Sequence, residues 1–318
     1  MNRLSLSFPL LCLPLAASAQ TLFTEDFNDG TAAGRWSYNS ALGSTDGPAN
    51  NIGNEANYAF DYSTVGIASA PRSGGNTVGL KMQANVAGGV FTGMSTSPLG
   101  QSFSGDYTLT FDAWMNFVAS GNGSTQLTMG GIGSAPTTAQ FPGGTFNALG
   151  FAATGDGGSA SDYRGYGSGT TTYAAPAQAQ NNTDPFYTSR FNGAYPAAQT
   201  ALFPTQTGTV ASGALGMKWY TWIIAKTGTT VSWTVRNYTG STFTDTLLAT
   251  TTNAAFSGSD IFLGQFDFNA TSSTDANNLA LNFGLIDNVV VSRPVPEPAS
   301  FAALGVGALA VLRRRKRG

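Results

Sequence analysis

Tyr107-Thr108-Leu109-Thr110-Phe111-Asp112-Ala113-Trp114-Met115-Asn116-Phe117 alternates: its odd positions are apolar and most of its even positions are polar. Side chains change face at every residue of a strand, so this stretch predicts a half-buried strand of an antiparallel sheet. Working outward, Tyr220–Lys226 and Thr230–Asn237 flank Thr227-Gly228-Thr229 and predict a hairpin with Val231, Trp233 and Val235 on one face. Further strands are expected at 77–83, 90–95, 127–132, 261–268 and 279–292. Between about 134 and 216 the alternation weakens into Gly-, Ala-, Pro- and Tyr-rich sequence, read as long loops carrying short strands within the same domain. With 40 glycines and few runs of Glu, Lys or Leu, the chain offers little to a helix. Many short strands with turn-rich joins predict an all-β chain, an antiparallel β-sandwich of jelly-roll type.

The two ends read differently. Met1-Asn2-Arg3 is a small basic head, Leu4 to Leu15 is apolar, and Ala17-Ser18-Ala19 is a small-x-small site before Gln20. That order predicts a signal peptide over 1–19, removed by signal peptidase. At the other end stand Val295-Pro296-Glu297-Pro298, an uncharged run from Ala299 to Leu312, and the cluster Arg313-Arg314-Arg315-Lys316-Arg317. Two prolines around one residue hold an extended segment that a protease cleft can grip. The apolar run can enter a bilayer as a short transmembrane helix, though it falls below the ~17–20 residues of a comfortable span. The basic cluster stops translocation and stays on the cytoplasmic side. This tail, 295–318, resembles the PEP-CTERM sorting signal of Gram-negative bacteria, known also as an ice-binding-protein C-terminal domain. The resemblance implies an exosortase-like protease as partner, transient inner-membrane anchoring, and delivery to the cell surface or exopolysaccharide matrix. Ice binding itself would need a regular Thr array recurring along the chain; Thr-x-Thr occurs only in isolated stretches such as Thr242-Phe243-Thr244-Asp245-Thr246, so ice binding is not expected. The ectodomain is then 20–294.

Composition excludes several chemistries. The chain has no histidine, and its one cysteine, Cys12, lies in the leader. The mature protein therefore has no disulfide, no thiol nucleophile and no imidazole, which rules out Ser–His and Cys–His hydrolases, ordinary zinc sites and His-ligated haem. Arg3 and the five tail cations leave with the processed ends, so the mature surface is more acidic than the formal net charge of −2. Such a surface repels polyanions, and nucleic acid is not expected as a partner.

Glu25-Asp26-Phe27-Asn28-Asp29-Gly30 with Gly34-Arg35-Trp36, and Leu285-Ile286-Asp287-Asn288-Val289-Val290-Val291, resemble the opening and closing strands of carbohydrate-binding-module and concanavalin-like jelly rolls. Those modules often carry an acid directly after the Phe, where this chain has Asn28. On residue parity, Glu25 and Asp287 both point toward the apolar side, where an unpaired charge costs several kcal/mol. Two partners answer that cost: a structural Ca²⁺ held by Glu25, Asn28 and Asp287, or backbone N–H groups and the guanidinium of Arg35 or Arg72. A glycosidase needs two carboxyls at a set spacing, and no strand carries such a cluster, so no catalytic residue is assigned. Sugar contact calls for exposed aromatic platforms, for which Trp114, Trp219 and Trp222 are candidates. Three function classes follow: a non-catalytic matrix protein contacting exopolysaccharide, a purely structural or adhesive envelope protein, and a glycan-cleaving enzyme of concanavalin-like fold.

Overall fold

The computed structural model describes residues 19–41, 53–86, 89, 91–119, 126–142, 146–167, 172–173, 180–252, 255–269, 271 and 273–293. The signal peptide before 19 and the sorting tail lie outside the described residues. In chain order the strands are β1 (Gln20–Glu25), β2 (Asn39–Ser40), β3 (Glu55–Asp61), β4 (Val78–Gln83) and β5 (Thr92–Thr96). There follow β6 (Tyr107–Asn116), β7 (Gln126–Ser134), β8 (Leu149–Thr154), β9 (Tyr163–Tyr166) and β10 (Thr172–Tyr173). The last five are β11 (Tyr220–Thr227), β12 (Thr230–Thr239), β13 (Thr242–Thr251), β14 (Asp260–Asp267) and β15 (Phe283–Arg293). Among the described residues helix is confined to short turns such as α1 (Pro185–Thr188), α2 (Ala197–Leu202) and α3 (Asn278–Leu281), and no helix there is long and apolar enough to cross a membrane.

The strands form two sheets. One runs β13-β12-β11-β6-β15-β4-β3, with β1 also on β15; the other runs β10-β9-β8-β7-β14-β5-β2. Neighbours pair antiparallel, as in β6 with β11 and β15, and β14 with β5 and β7. Consecutive strands β4, β5, β6 and β7 change sheet at each step, and so do β13, β14 and β15. The fold is therefore an all-β antiparallel sandwich of jelly-roll type, with the first and last strands adjacent. The strands expected from alternation all form, and β11 and β12 close through Gly228-Thr229, Gly228 taking a φ of +57° that suits glycine. The expected strand at 279–292 begins late because Asn278–Leu281 is a helical turn. The loop-rich stretch carries β8, β9, β10, α1 and α2, while β3 and β13 were not foreseen from alternation.

Between the sheets, Tyr107, Leu109, Phe111, Ala113 and Met115 of β6 pack with Val231, Trp233 and Val235 of β12. Trp222 and Trp233 meet at 4.7 Å between centroids, and Phe151 stacks on Trp233 at 5.5 Å. Each sheet also has a second apolar layer. Trp114, Trp219, Phe283 and Leu285 pack under Tyr62, Val65, Ile67 and Val210, and Leu127, Met129, Phe262 and Phe266 under Phe141 and Phe146. A bulge between Asp287 and Val290, with Asn288 at φ +52°, splits the last strand. Before it, Phe283 and Leu285 face the second layer; after it, Val289 and Val291 enter the main core. The single parity read along 281–291 is thus broken, since one inserted residue exchanges the faces.

Toward one end the interior becomes polar. Thr128 and Gln126 continue the face of Ile132, and Gln265 and Asp267 continue that of Ile261 and Leu263. The Thr128 hydroxyl donates to Gln265 Oε1 at 2.8 Å, and Gln265 Nε2 donates to Gln126 Oε1 at 3.2 Å. Asp267 accepts from Asn85 Nδ2 at 3.0 Å, Gln126 Nε2 at 3.1 Å and the Asn269 amide at 2.7 Å.

Candidate functional site

A cavity of about 390 Å³ opens at this polar end, within the size range of small-ligand pockets. Register gathers its walls: Asn116 pairs with Phe283, Gln126 with Asp267, and Leu127 with Thr154, so the ends of β6, β7, β8, β14 and β15 lie together. Asn116, Gln126, Thr128 and Gln265 line it from the strands, and Phe117, Asp156, Tyr195 and Thr209–Ser212 from the loops. The covering segment lies tight against the strands: the Met217 amide donates to Met115 O at 2.9 Å, and a Cβ on Gly216 would sit 2.2 Å from Gly155 O. Asn116 is already committed, its Oδ1 accepting from Trp114 Nε1 at 3.0 Å and Gln199 Nε2 at 3.1 Å.

Two half-buried rings, Tyr195 and Phe117, meet edge to face at 5.8 Å beside the cavity. Among the described residues Asp156 is the one charged side chain lining it. Its carboxyl accepts the Gly158 amide at 3.1 Å. Burial raises its pKa above the usual carboxylate range, the Gly158 bond opposes that, and the charges of Asp162 and Asp267 add to it. Burial pushes the Tyr195 hydroxyl up to about 12, with the Asp156 charge contributing. Such a site can stack a ring on an aromatic face and take hydroxyl or amine donors on a carboxylate. Alternation pointed to none of these residues as a set, because Asp156 and Tyr195 lie in the stretch where it fails. The inward Gln126, Thr128, Gln265 and Asp267 were the visible signal.

The residues singled out for Ca²⁺ have other partners. Glu25 is buried, and its oxygens accept from Arg35 Nε at 3.0 Å, Arg35 Nη2 at 2.8 Å, Trp36 Nε1 at 3.2 Å and the Phe27 amide at 2.9 Å. Asp287 is fully buried; it accepts the Tyr62 hydroxyl at 3.0 Å and the Asn288 amide at 2.7 Å. Burial pushes its pKa up to about 7, against the Tyr62 and Asn288 bonds. Arg72 does not pair with it but with Asp112 at 2.9 Å, and donates to Asn288 O at 2.8 Å. Asn28 has a buried Oδ1 with no hydrogen-bond partner, a single oxygen where Ca²⁺ takes six to eight. Among the described residues no three His, Cys, Asp or Glu side chains are grouped to hold a metal. Glu25, Asn28 and Asp287 do not form a Ca²⁺ site: the Arg35 guanidinium and Trp36 take the Glu25 carboxylate, the Tyr62 hydroxyl and the Asn288 amide take Asp287, and Asn28 would bring only one oxygen. The expected platforms are corrected too. Trp222 is in the main core, and Trp114 and Trp219 lie in the second layer, 5.8 Å apart, with Trp219 Nε1 donating to Ala68 O at 2.8 Å. All three are buried, since the face opposite the core is itself covered. The sorting residues Val295, Pro296, Glu297 and Pro298 and the basic cluster from Arg313 to Arg317 lie outside the described residues.

Residues 294–317 match the model of the PEP-CTERM protein-sorting motif. The chain carries that sorting motif. No curated protein matches it. Among solved structures, the chain is similar to a protein of unknown function with galectin-like fold from Bacillus subtilis, at 11% identity over 86% of this chain and 96% of that one, TM-score 0.43. It is also similar to peanut lectin, at 8% identity over 86% and 97%, TM-score 0.41. A third is the CBM2 module of the evolved Dit of Lactobacillus casei BL23 phage J-1, at 13% identity over 87% and 97%, TM-score 0.39.

Proposed function

We propose that this is an exported protein of the cell surface or exopolysaccharide matrix, which contacts glycan through the cavity at the polar end of its sandwich and does not cleave it. Export rests on the leader, cut by signal peptidase, and on the sorting motif, handled by an exosortase-like protease after transient anchoring in the inner membrane. The observation that carries the glycan reading is the cavity itself. It joins two half-buried rings, Tyr195 and Phe117, to Asp156 and a wall of amides and hydroxyls, the mixture of apolar face and polar edge that a pyranose presents. The described lining holds one carboxyl, where hydrolysis of a glycosidic bond needs two, which supports binding without cleavage. The test is a glycan array probed with the full-length protein in mild detergent, beside Tyr195→Ala and Phe117→Ala. Binding to a defined saccharide class that both variants weaken supports the reading; binding unaffected by either, or no binding to any glycan, sinks it.

A further inference from the structure

We infer that the cavity is built for glycans bearing a free amino group, unacetylated hexosamine units, and turns away chains of uronic acid; this rests on the glycan reading above. Among the described residues Asp156 is the one charged group on the lining, and none of them that forms it is a lysine or arginine. Its carboxyl has backbone amide donors, Gly158 at 3.1 Å among them, and takes part in no ion pair among the described residues.

The neighbouring acids do not relieve it. Asp162 is held by neutral donors, the Thr154 hydroxyl at 2.5 Å and the Ser159 and Asn182 amides at 3.1 and 3.0 Å. Asp267 accepts from the side-chain amides of Asn85 and Gln126. Both raise the cost of charge on Asp156, so the cavity carries a negative field with no cation among its described lining residues.

A ligand ammonium answers that field directly, with a charge-assisted bond to a partly desolvated carboxylate. The faces of Tyr195 and Phe117 add to it, since an aromatic quadrupole attracts cations as well as the C–H face of a pyranose. An N-acetyl group removes the charge and leaves an amide. A uronate brings like charge against Asp156 and is disfavoured.

Calorimetry with the full-length protein in detergent, using glucosamine, N-acetylglucosamine and galacturonate oligomers of equal length, tests this. The glucosamine oligomer is expected to bind roughly tenfold or more tighter than the acetylated one, the gain of a hydrogen bond to a charged partner, and the galacturonate oligomer is expected not to compete. Asp156→Asn keeps shape and the Gly158 bond, and is expected to bring the glucosamine affinity down to that of the acetylated oligomer, with the melting temperature retained. Equal affinity of the wild type for the amino and acetylated oligomers overturns the inference while leaving glycan binding intact. So does a preference for amine that survives Asp156→Asn. Failure to bind any of the three oligomers also overturns the inference, and the glycan array decides separately on the reading beneath it.

Discussion

At the scale of residues, a buried carboxylate is decided by its donors. Glu25 meets a bidentate guanidinium, whereas Asp287 meets a phenol and an amide. Asp287 is therefore a costly anion, and its charge is the part the fold holds least well. Asp287→Asn removes the costly charge and keeps one acceptor oxygen, enough for the Asn288 amide while Tyr62 turns to Asn76 O, and is expected to cost less than the Leu variant at pH 8. Asp287→Leu leaves the Asn288 amide without an acceptor, while the Tyr62 hydroxyl keeps Asn76 O, and is expected to cost about 1–3 kcal/mol. Denaturant titration of both variants checks the pair. A loss in Asn as large as in Leu would mean that the anion itself is bound. With guanidinium and hydroxyl groups in the place of a metal, chelator is expected to leave the melting temperature of the wild type unchanged, which scanning calorimetry with and without EDTA measures.

At the scale of elements, the hairpin β11–β12 and the bulge in β15 show the reach of alternation and its limit. The hairpin follows from local chemistry: two alternating runs, and a glycine at the one position with positive φ. Gly228 has open space around its missing Cβ, so Gly228→Val tests conformation alone and is expected to cost about 1–2 kcal/mol, read as a shift in denaturation midpoint. Trp233, fully buried against Trp222 and Phe151, is expected to lose about 3–5 kcal/mol as Ala. In β15 the burial expected for Asp287 is found, but on the opposite side of the sheet from Val289 and Val291. A parity count has no way to register the residue that Asn288 inserts.

For the molecule as a whole, acidity is the telling variable. Asp260 is buried with Oδ2 unpartnered and, like Asp287, is pushed up to about 7 by burial. Both groups hold protons more tightly folded than unfolded, so the folded state gains relative stability as pH falls from about 7 toward 4, and loses it as pH rises through the folded pKa. Asp29, held down to about 2 chiefly by Arg35, and Asp245, lowered by Arg236, act the other way: their contribution is present above the ordinary carboxylate pKa and fades below it. The melting temperature is expected to peak near pH 4–5 and to fall toward pH 8; a rise from pH 5 to pH 8 would show that Asp260 and Asp287 ionise without penalty. Sorting is tested at the same scale. Replacing Pro296-Glu297-Pro298 by alanines is expected to leave a membrane-associated, uncut protein, because the apolar run survives while the gripped segment is lost. Normal mature size and surface release in that variant, seen by fractionation and blotting, would remove the sorting assignment.

The sequence by itself determined what is local or compositional: the sorting tail, the absence of histidine, and strands whose side chains alternate, β6 above all. Those signals need only neighbours along the chain. The tertiary structure decided partners and surfaces. Tyr62 reaches Asp287 across 225 positions, and Arg72 reaches Asp112 across 40. Trp114 sits on the polar parity of its strand and is nonetheless buried, because residues from 62–70 and 210–219 fold over that face. The cavity is made by strand ends and loops from seven described stretches of the chain, and only the tertiary fold brings Asp156, Tyr195 and Gln265 to one place. Periodicity records which side of its own strand a residue occupies, while burial and recognition depend on what distant segment arrives to cover that side.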